Sequence, residues 1–154
     1  MEIRNLNDVE VQYDDDDPPG YNPGYARLGP ALGASMIGMS VFDLAPGNAV
    51  CPYHFEFNNE EWLICISGAP ILRTPDGEQT LKPGDVVCFP EGPAGAHHVR
   101  NEGDEPLRVA ILSTKRNPGV AIYPDSNKLG VWSGDIRHMV RLEPQLDYWD
   151  GEKV

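Results

Sequence analysis

Short apolar runs, punctuated by clusters of Gly, Pro, Asn and Asp, occupy the middle of the chain and carry the period of strands, not helices. ASMIGMSVFDL, from Ala34 to Leu44, predicts a strand ended by the turn signal Ala45-Pro46-Gly47. VCPYHFEF and EEWLICISG predict two more, joined across Asn58-Asn59 and closed by Gly68. APILRT and QTLK flank PDGE and predict a hairpin in which Asp76-Gly77 supplies the positive-φ positions. DVVCFP predicts a further strand, and HHVRN and LRVAILS, either side of GDEP, predict a final hairpin. Short strands at this spacing predict an all-β fold, an antiparallel β-barrel or jelly roll, which leaves little sheet edge exposed.

The flanks read differently. Residues 1–30 combine the Asp14–Asp17 run with Pro18, Pro19, Gly20, Pro23, Gly24 and Gly29, and predict an irregular N-terminal arm. The acid run lacks the spaced oxygen ligands and terminal Glu of a calcium loop and is expected to be solvated. Residues 31–115 are expected to form the barrel core. Residues 116–154 contain YPDSNKLGVW and VRLEPQLDYWDGE, whose aromatics are expected to pack on the barrel or across the contact of a homodimer.

Composition narrows the field. A chain of 154 residues suits one domain, and 16 Gly and 15 Pro interrupt helices too often for a bundle. Twenty-four acidic against 12 basic residues give a formal charge of −12, a field that disfavours nucleic acid and anionic membrane partners. No run approaches the ~18 apolar residues of a membrane span, and the opening MEIRNLNDVEVQYDDDD has no apolar h-region, so a soluble, cytoplasmic protein is expected. Cys51, Cys65 and Cys88 each sit in an apolar run without paired CxxC spacing, and core filling by reduced thiols is expected.

The candidate chemistry lies in the middle of the chain. His54 and Glu56, at i and i+2 of one predicted strand, leave the same face. Glu61 begins the next strand, which can return opposite them, and His97 or His98 arrives from the loop after Pro90. No nucleophile elbow, phosphate-cradling glycine loop or dinucleotide fingerprint is present.

Gly47, His54, Glu61 and Gly68, followed by Gly84, Pro90, Gly92, His97 and Asn101, resemble the two motifs of the cupin superfamily over roughly residues 34–115. In that pattern a Gly, an HxH pair, a Glu and a further Gly are followed by G-x5-P-x-G and H-x3-N. The wider texture is similar to single-domain bacterial cupins. Three departures stand out: Gly47 to His54 is one residue longer than usual, the insert PAGA separates Gly92 from His97 where two residues are common, and Glu56 replaces the second His of HxH. The resemblance implies a divalent metal, one per chain, held by His54, Glu61 and His97. His97 keeps the interval to Asn101, and Glu61 keeps the interval to Gly68, so His98 and Glu60 are expected to face away.

Two imidazoles and a carboxylate suit Mn, Fe, Zn or Ni. Glu56 is expected either to join them as a fourth metal ligand or to act as a catalytic general base beside the metal. Leu63 and Cys65 share the parity of Glu61, with either Val86 and Cys88 or Val87 and Phe89 alongside, and suit a small, partly apolar substrate. Arg73, Arg100 and His98 are the candidate substrate contacts, the arginines for a carboxylate or phosphate if they face inward. The expected function is that of a metal-dependent enzyme on a small organic acid, sugar or carbonyl compound, by isomerase, lyase or dioxygenase chemistry. The alternative is a non-catalytic cupin that binds a small molecule or sugar with weak or no metal binding.

Overall fold

A computed structural model describes residues 1–153. Twelve strands run in chain order as β1 (Gly24–Arg27), β2 (Ile37–Leu44), β3 (Phe55–Phe57), β4 (Glu61–Ser67), β5 (Ile71–Thr74), β6 (Gly77–Thr80), β7 (Val86–Phe89), β8 (His98–Arg100), β9 (Leu107–Thr114), β10 (Gly119–Tyr123), β11 (Lys128–Ser133) and β12 (Ile136–Arg141). They form a five-stranded sheet ordered β1-β2-β9-β4-β7, a four-stranded sheet ordered β12-β11-β10-β3 and a three-stranded sheet ordered β6-β5-β8. Among the described residues every strand pairing is antiparallel. The all-β jelly-roll expectation therefore holds.

The two faces of the five-stranded sheet bury different cores. Side-chain alternation sends Leu44, Leu63, Cys65, Phe89, Leu107 and Val109 inward, where they meet Leu72 and Val99 of the three-stranded sheet. On the outer face, Val41 and Ala110 pack with Leu28 and are covered by Leu6 and Val9 of the N-terminal segment. Arg108 fastens that segment: it grips Asp43 through two oxygens, at 2.5 and 2.7 Å, and donates to the Leu6 and Val9 carbonyls.

Several sequence expectations need correction. Residues 1–30 are not an irregular arm throughout: Gly24–Arg27 pairs with β2, Gln12 bridges to Tyr25, and one helical turn, Leu28–Ala31, follows. GYAR contains no proline, and once beside β2 its backbone groups find partners. In the run from Ala34, β2 begins only at Ile37, because the preceding residues complete a turn in which Ala34 N–H donates to the Gly29 carbonyl. VCPYHFEF yields only a three-residue strand. Pro52 has no N–H to give a ladder, so His54 joins the barrel through a single bridge to His97. At the β5–β6 turn, Gly77 alone takes a positive φ, 119°, and Asp76 does not.

The expected barrel boundary at residue 115 falls short. β10 pairs with β3, residues 120 to 122 against 57 to 55, so part of the 116–154 extension is barrel wall. The end of the tail does not pack back: Tyr148 and Trp149 are exposed. The thiols also divide, for Cys65 is buried as expected, Cys51 is half-buried and Cys88 is exposed. Cys88 shares the outward parity of Val86, whereas Val87 and Phe89 point into the core.

Asn101, a motif position in the sequence, is a buried clasp. Its side-chain amide donates to the Leu44 and Glu105 carbonyls, and its Oδ1 accepts from Gly103 N–H. Asn101→Ala would strand one buried and one part-buried carbonyl and is expected to destabilise the fold by about 1–3 kcal/mol. A urea midpoint close to that of the parent would contradict this role.

Candidate metal centre

Cross-strand register assembles the site. Gly38 of β2 pairs with Ser113 of β9, Ser113 with Glu61 of β4, and Glu61 with Phe89 of β7, so these four form one row on the inner face. Behind that row the face is apolar, with Leu63 and Cys65 fully buried; in front of it the barrel opens. His54 and His97 are joined by an isolated antiparallel bridge. Glu61 Oε2 lies 3.7 Å from His54 Nε2 and 3.4 Å from His97 Nε2. One donor atom from each of the three residues lies within 4.8 Å of the others.

Both imidazoles are oriented by backbone. His54 Nδ1 lies 3.0 Å from the Pro52 carbonyl, and His97 Nδ1 lies 2.9 Å from the Gly95 carbonyl. Donation from Nδ1 leaves each Nε2 lone pair facing Glu61, the arrangement that holds metal-ligating histidines. Phe89 stacks on the His97 ring with centroids 3.8 Å apart and planes 9° from parallel, and Tyr123 stacks on His54 at 5.7 Å and 21°. Among the described residues, His97 Nε2 is buried and has no hydrogen-bond partner. A buried ring nitrogen without a partner, aimed at a carboxylate and a second imidazole, fits a divalent metal; His98 Nε2 is also buried and unpartnered but lies outside the donor cluster.

The PAGA insert builds part of this arrangement. It forms a 3-10 turn, Pro93–Gly95, and Gly92 N–H donates to the Glu56 carbonyl. A Cβ on Gly95 would lie 1.8 Å from the Pro90 carbonyl oxygen, so only glycine lets the loop close and present its carbonyl to His97.

The electrostatics match a site built for a cation. Burial opposes a charge on His54, but Cys51 and Glu61 outweigh it and push the imidazole up to about 11. Burial, then the positive His54 alongside, lowers His97 to about 4. A dication bound at the same nitrogens would compete with protons for them. Burial, followed by repulsion from Cys51, Glu56 and Glu61, pushes the Tyr123 hydroxyl up to about 12.

The other candidates are placed apart from this triad. The cluster of donor atoms does not include Glu56. Its Oε2 accepts from Asn59 Nδ2 at 2.8 Å, and Asn59 is held in turn by Thr114 Oγ1 and Arg116 N–H at its Oδ1. Burial, then Glu61, raises the Glu56 carboxyl above the usual range. Arg73 is committed elsewhere: it makes a two-pronged pair with Asp125 and lies 3.9 Å over the Tyr53 ring. Arg100 pairs with Glu78 and Glu102. His98 pairs across β5 with Arg73, on the opposite parity to His97. None of these three lines the cavity of about 300 Å³ that contains His54, Glu61 and His97. Strand parity explains this, since one residue of slip reverses the facing. Glu60 also faces out, accepting from Trp62 Nε1.

Residues 40–114 match a family model described as the cupin domain. The chain belongs to the cupin superfamily. Germin-like protein 1 of Brassica napus is 32% identical to this cupin over 105 residues, 65% of the chain and 49% of that protein. The chain thus spans about half the length of the curated relatives it matches. A sugar phosphate isomerase from Silicibacter pomeroyi superposes with a TM-score of 0.82 at 24% identity, covering 93% of this cupin and 94% of that chain. The polyketide cyclase RemF of Streptomyces resistomycificus gives a TM-score of 0.61 at 21% identity, covering 77% and 83%. At these identities the structural likeness is one of fold.

Sequence reading missed Tyr123, Asn59 and Lys115. Tyr123 and Asn59 left no signal, because their roles arise from β10 closing against β3 and from a turn. Lys115 lies two residues beyond Ser113 on the inward parity of β9, and that alternation is the trace it left. The arm also gains a role. A second cavity, of about 590 Å³, shares Ser40, Phe42, Val50 and Cys51 with the first and is walled by Tyr21, Pro23 and Tyr25.

Proposed function

We propose that this cupin is a metal-dependent enzyme acting on a small organic acid, sugar or carbonyl compound, by isomerase, lyase or dioxygenase chemistry. The observation that carries the reading is the buried, unpartnered Nε2 of His97, aimed with His54 Nε2 at Glu61. His54, Glu61 and His97 would hold Mn, Fe, Zn or Ni, which supplies Lewis-acid polarisation of a substrate oxygen when bound. Leu63 and Phe89 are buried beside Glu61, and Phe42, Val50 and Ile111 give the cavity its apolar lining. Glu56 lines the neighbouring cavity, which shares Ser113 and Lys115 with that of the triad. Burial raises its carboxyl above the usual range, and this carboxylate, tied to Asn59 through Oε2, is the group to exchange a proton with a substrate carbon or oxygen.

Two measurements test this. Metal analysis of protein purified without added metal is expected to give close to stoichiometric loading, and less than about a tenth of an equivalent would remove the metal-dependent reading. Incubation of small keto acids, aldoses and their phosphates in D2O is then expected to show deuterium entering beside the carbonyl. Full metal loading without exchange, product or oxygen uptake would favour the non-catalytic binding cupin instead.

A further inference from the structure

Lys115 occupies the same cavity as His54, Glu61 and His97. Its stem crosses β2 at Gly38, where a Cβ would meet Lys115 Cε at 2.8 Å, Nζ at 3.4 Å and Ser113 Oγ at 3.4 Å. Gly38 is buried although it lies near the start of its strand, and a side chain there would force the lysine aside. Lys115 is exposed, and its stem lies over the space that the absence of a side chain at 38 leaves open at the edge of the cavity. Ser113 beneath it is the direct cross-strand neighbour of Glu61, so the ammonium stands about two strand widths, on the order of 10 Å, from the triad carboxylate. Lys115 makes no ion pair within 4 Å among the described residues, unlike Arg73, Arg100 and Arg108. Its field reaches Glu56 and acts against the burial that raises that carboxyl. Ser40 and Ser113 add hydroxyls to the same wall.

We infer that Lys115 is a specificity-determining residue, which binds the carboxylate or phosphate of an anionic substrate whose reacting end reaches the triad. The inference rests on the enzyme reading above and narrows it to organic anions. An exposed ammonium beside the cavity, in a chain of formal charge −12, offsets the general field next to the triad. The ligand body extends from there along Phe42 toward Tyr21 and Tyr25, through the residues the two cavities share.

The test is calorimetric titration of malonate and inorganic phosphate, with neutral malonamide as control, into protein of measured metal content. Lys115→Met is expected to keep its metal and bind anions about tenfold or more weakly, with malonamide unaffected. Lys115→Arg should retain most of the affinity, and Gly38→Ala, which moves the stem but keeps the charge, should weaken it less than Lys115→Met does. The stronger of the two anions in the wild type identifies carboxylate or phosphate as the group recognised. Anion affinity equal in Lys115→Met and wild type, or no anion binding by wild type, would overturn the inference. Lys115-dependent anion binding by a protein that holds no metal would sustain this inference and overturn metal dependence; metal-loaded protein whose anion binding ignores Lys115 would do the reverse.

Discussion

Glu61→Gln is expected to empty the metal site while leaving the barrel folded. The glutamine matches the volume of the glutamate, and its neighbours in the row, Ser113 and Phe89, are held by backbone pairing that the change does not touch. What disappears is the one negative charge in the triad. Two neutral imidazoles and an amide remain, and the expected loss of affinity is on the order of a hundredfold or more, since even changes one shell further out cost about ten- to a hundredfold. Competition with a chromogenic chelator measures this directly. A second readout needs no activity: a ligand that binds only the folded state raises stability by about 4 kcal/mol at a thousand times its dissociation constant. Chelator should therefore lower the melting temperature of the wild type and leave that of Glu61→Gln unchanged. A variant that kept its metal and its chelator-sensitive melting would remove Glu61 from the ligand set.

The barrel and the triad were legible in the sequence for different reasons. The strands carry a period-two pattern, and each inward position on β4, from Glu61 through Leu63 to Cys65, follows from alternation alone. The choice of His97 over His98 and of Glu61 over Glu60 came from the intervals to Asn101 and Gly68. Those intervals have physical causes. Asn101 clasps the Leu44 and Glu105 carbonyls behind β8, and Gly68 turns at a φ of 80° with Leu107 so close that a Cβ would lie 2.4 Å from it.

What the sequence hid are contacts between segments far apart in the chain. β10 contributes Tyr123 to the site only because it pairs with β3, a three-residue strand too short to announce a partner. The N-terminal segment covers one face with Leu6 and Val9 and walls a cavity on the other with Tyr21 and Tyr25. Its Pro and Asp content conceals both roles. Arg73 and Arg100 lie outside the cavity because they take the parity of β5 and β8 opposite to the buried Leu72 and Val99, where Asp125, Glu78 and Glu102 pair with them.

Glu56→Gln has the second large expected effect, and it decides between the two roles open to this residue. The Asn59 amide that donates to Glu56 Oε2 can donate equally to the glutamine oxygen, so the local fold is expected to survive. Asn59 cannot rotate to avoid the change, because its own Oδ1 is fixed by Thr114 and Arg116. If Glu56 exchanges a proton with substrate, the variant keeps full metal loading and loses turnover, or deuterium exchange, by about a hundred- to ten-thousandfold. The placement of Glu56 outside the compact donor cluster favours this outcome. If it is instead a fourth ligand, metal content falls with activity, and Glu56→His should restore the metal. Unchanged loading and unchanged turnover in both variants would leave the carboxylate with only its bond to Asn59. In either role the residue works beside Glu61, whose charge helps hold it basic, so the two carboxylates divide the labour. Glu61 presents charge to the cation, and Glu56 is positioned to move the proton.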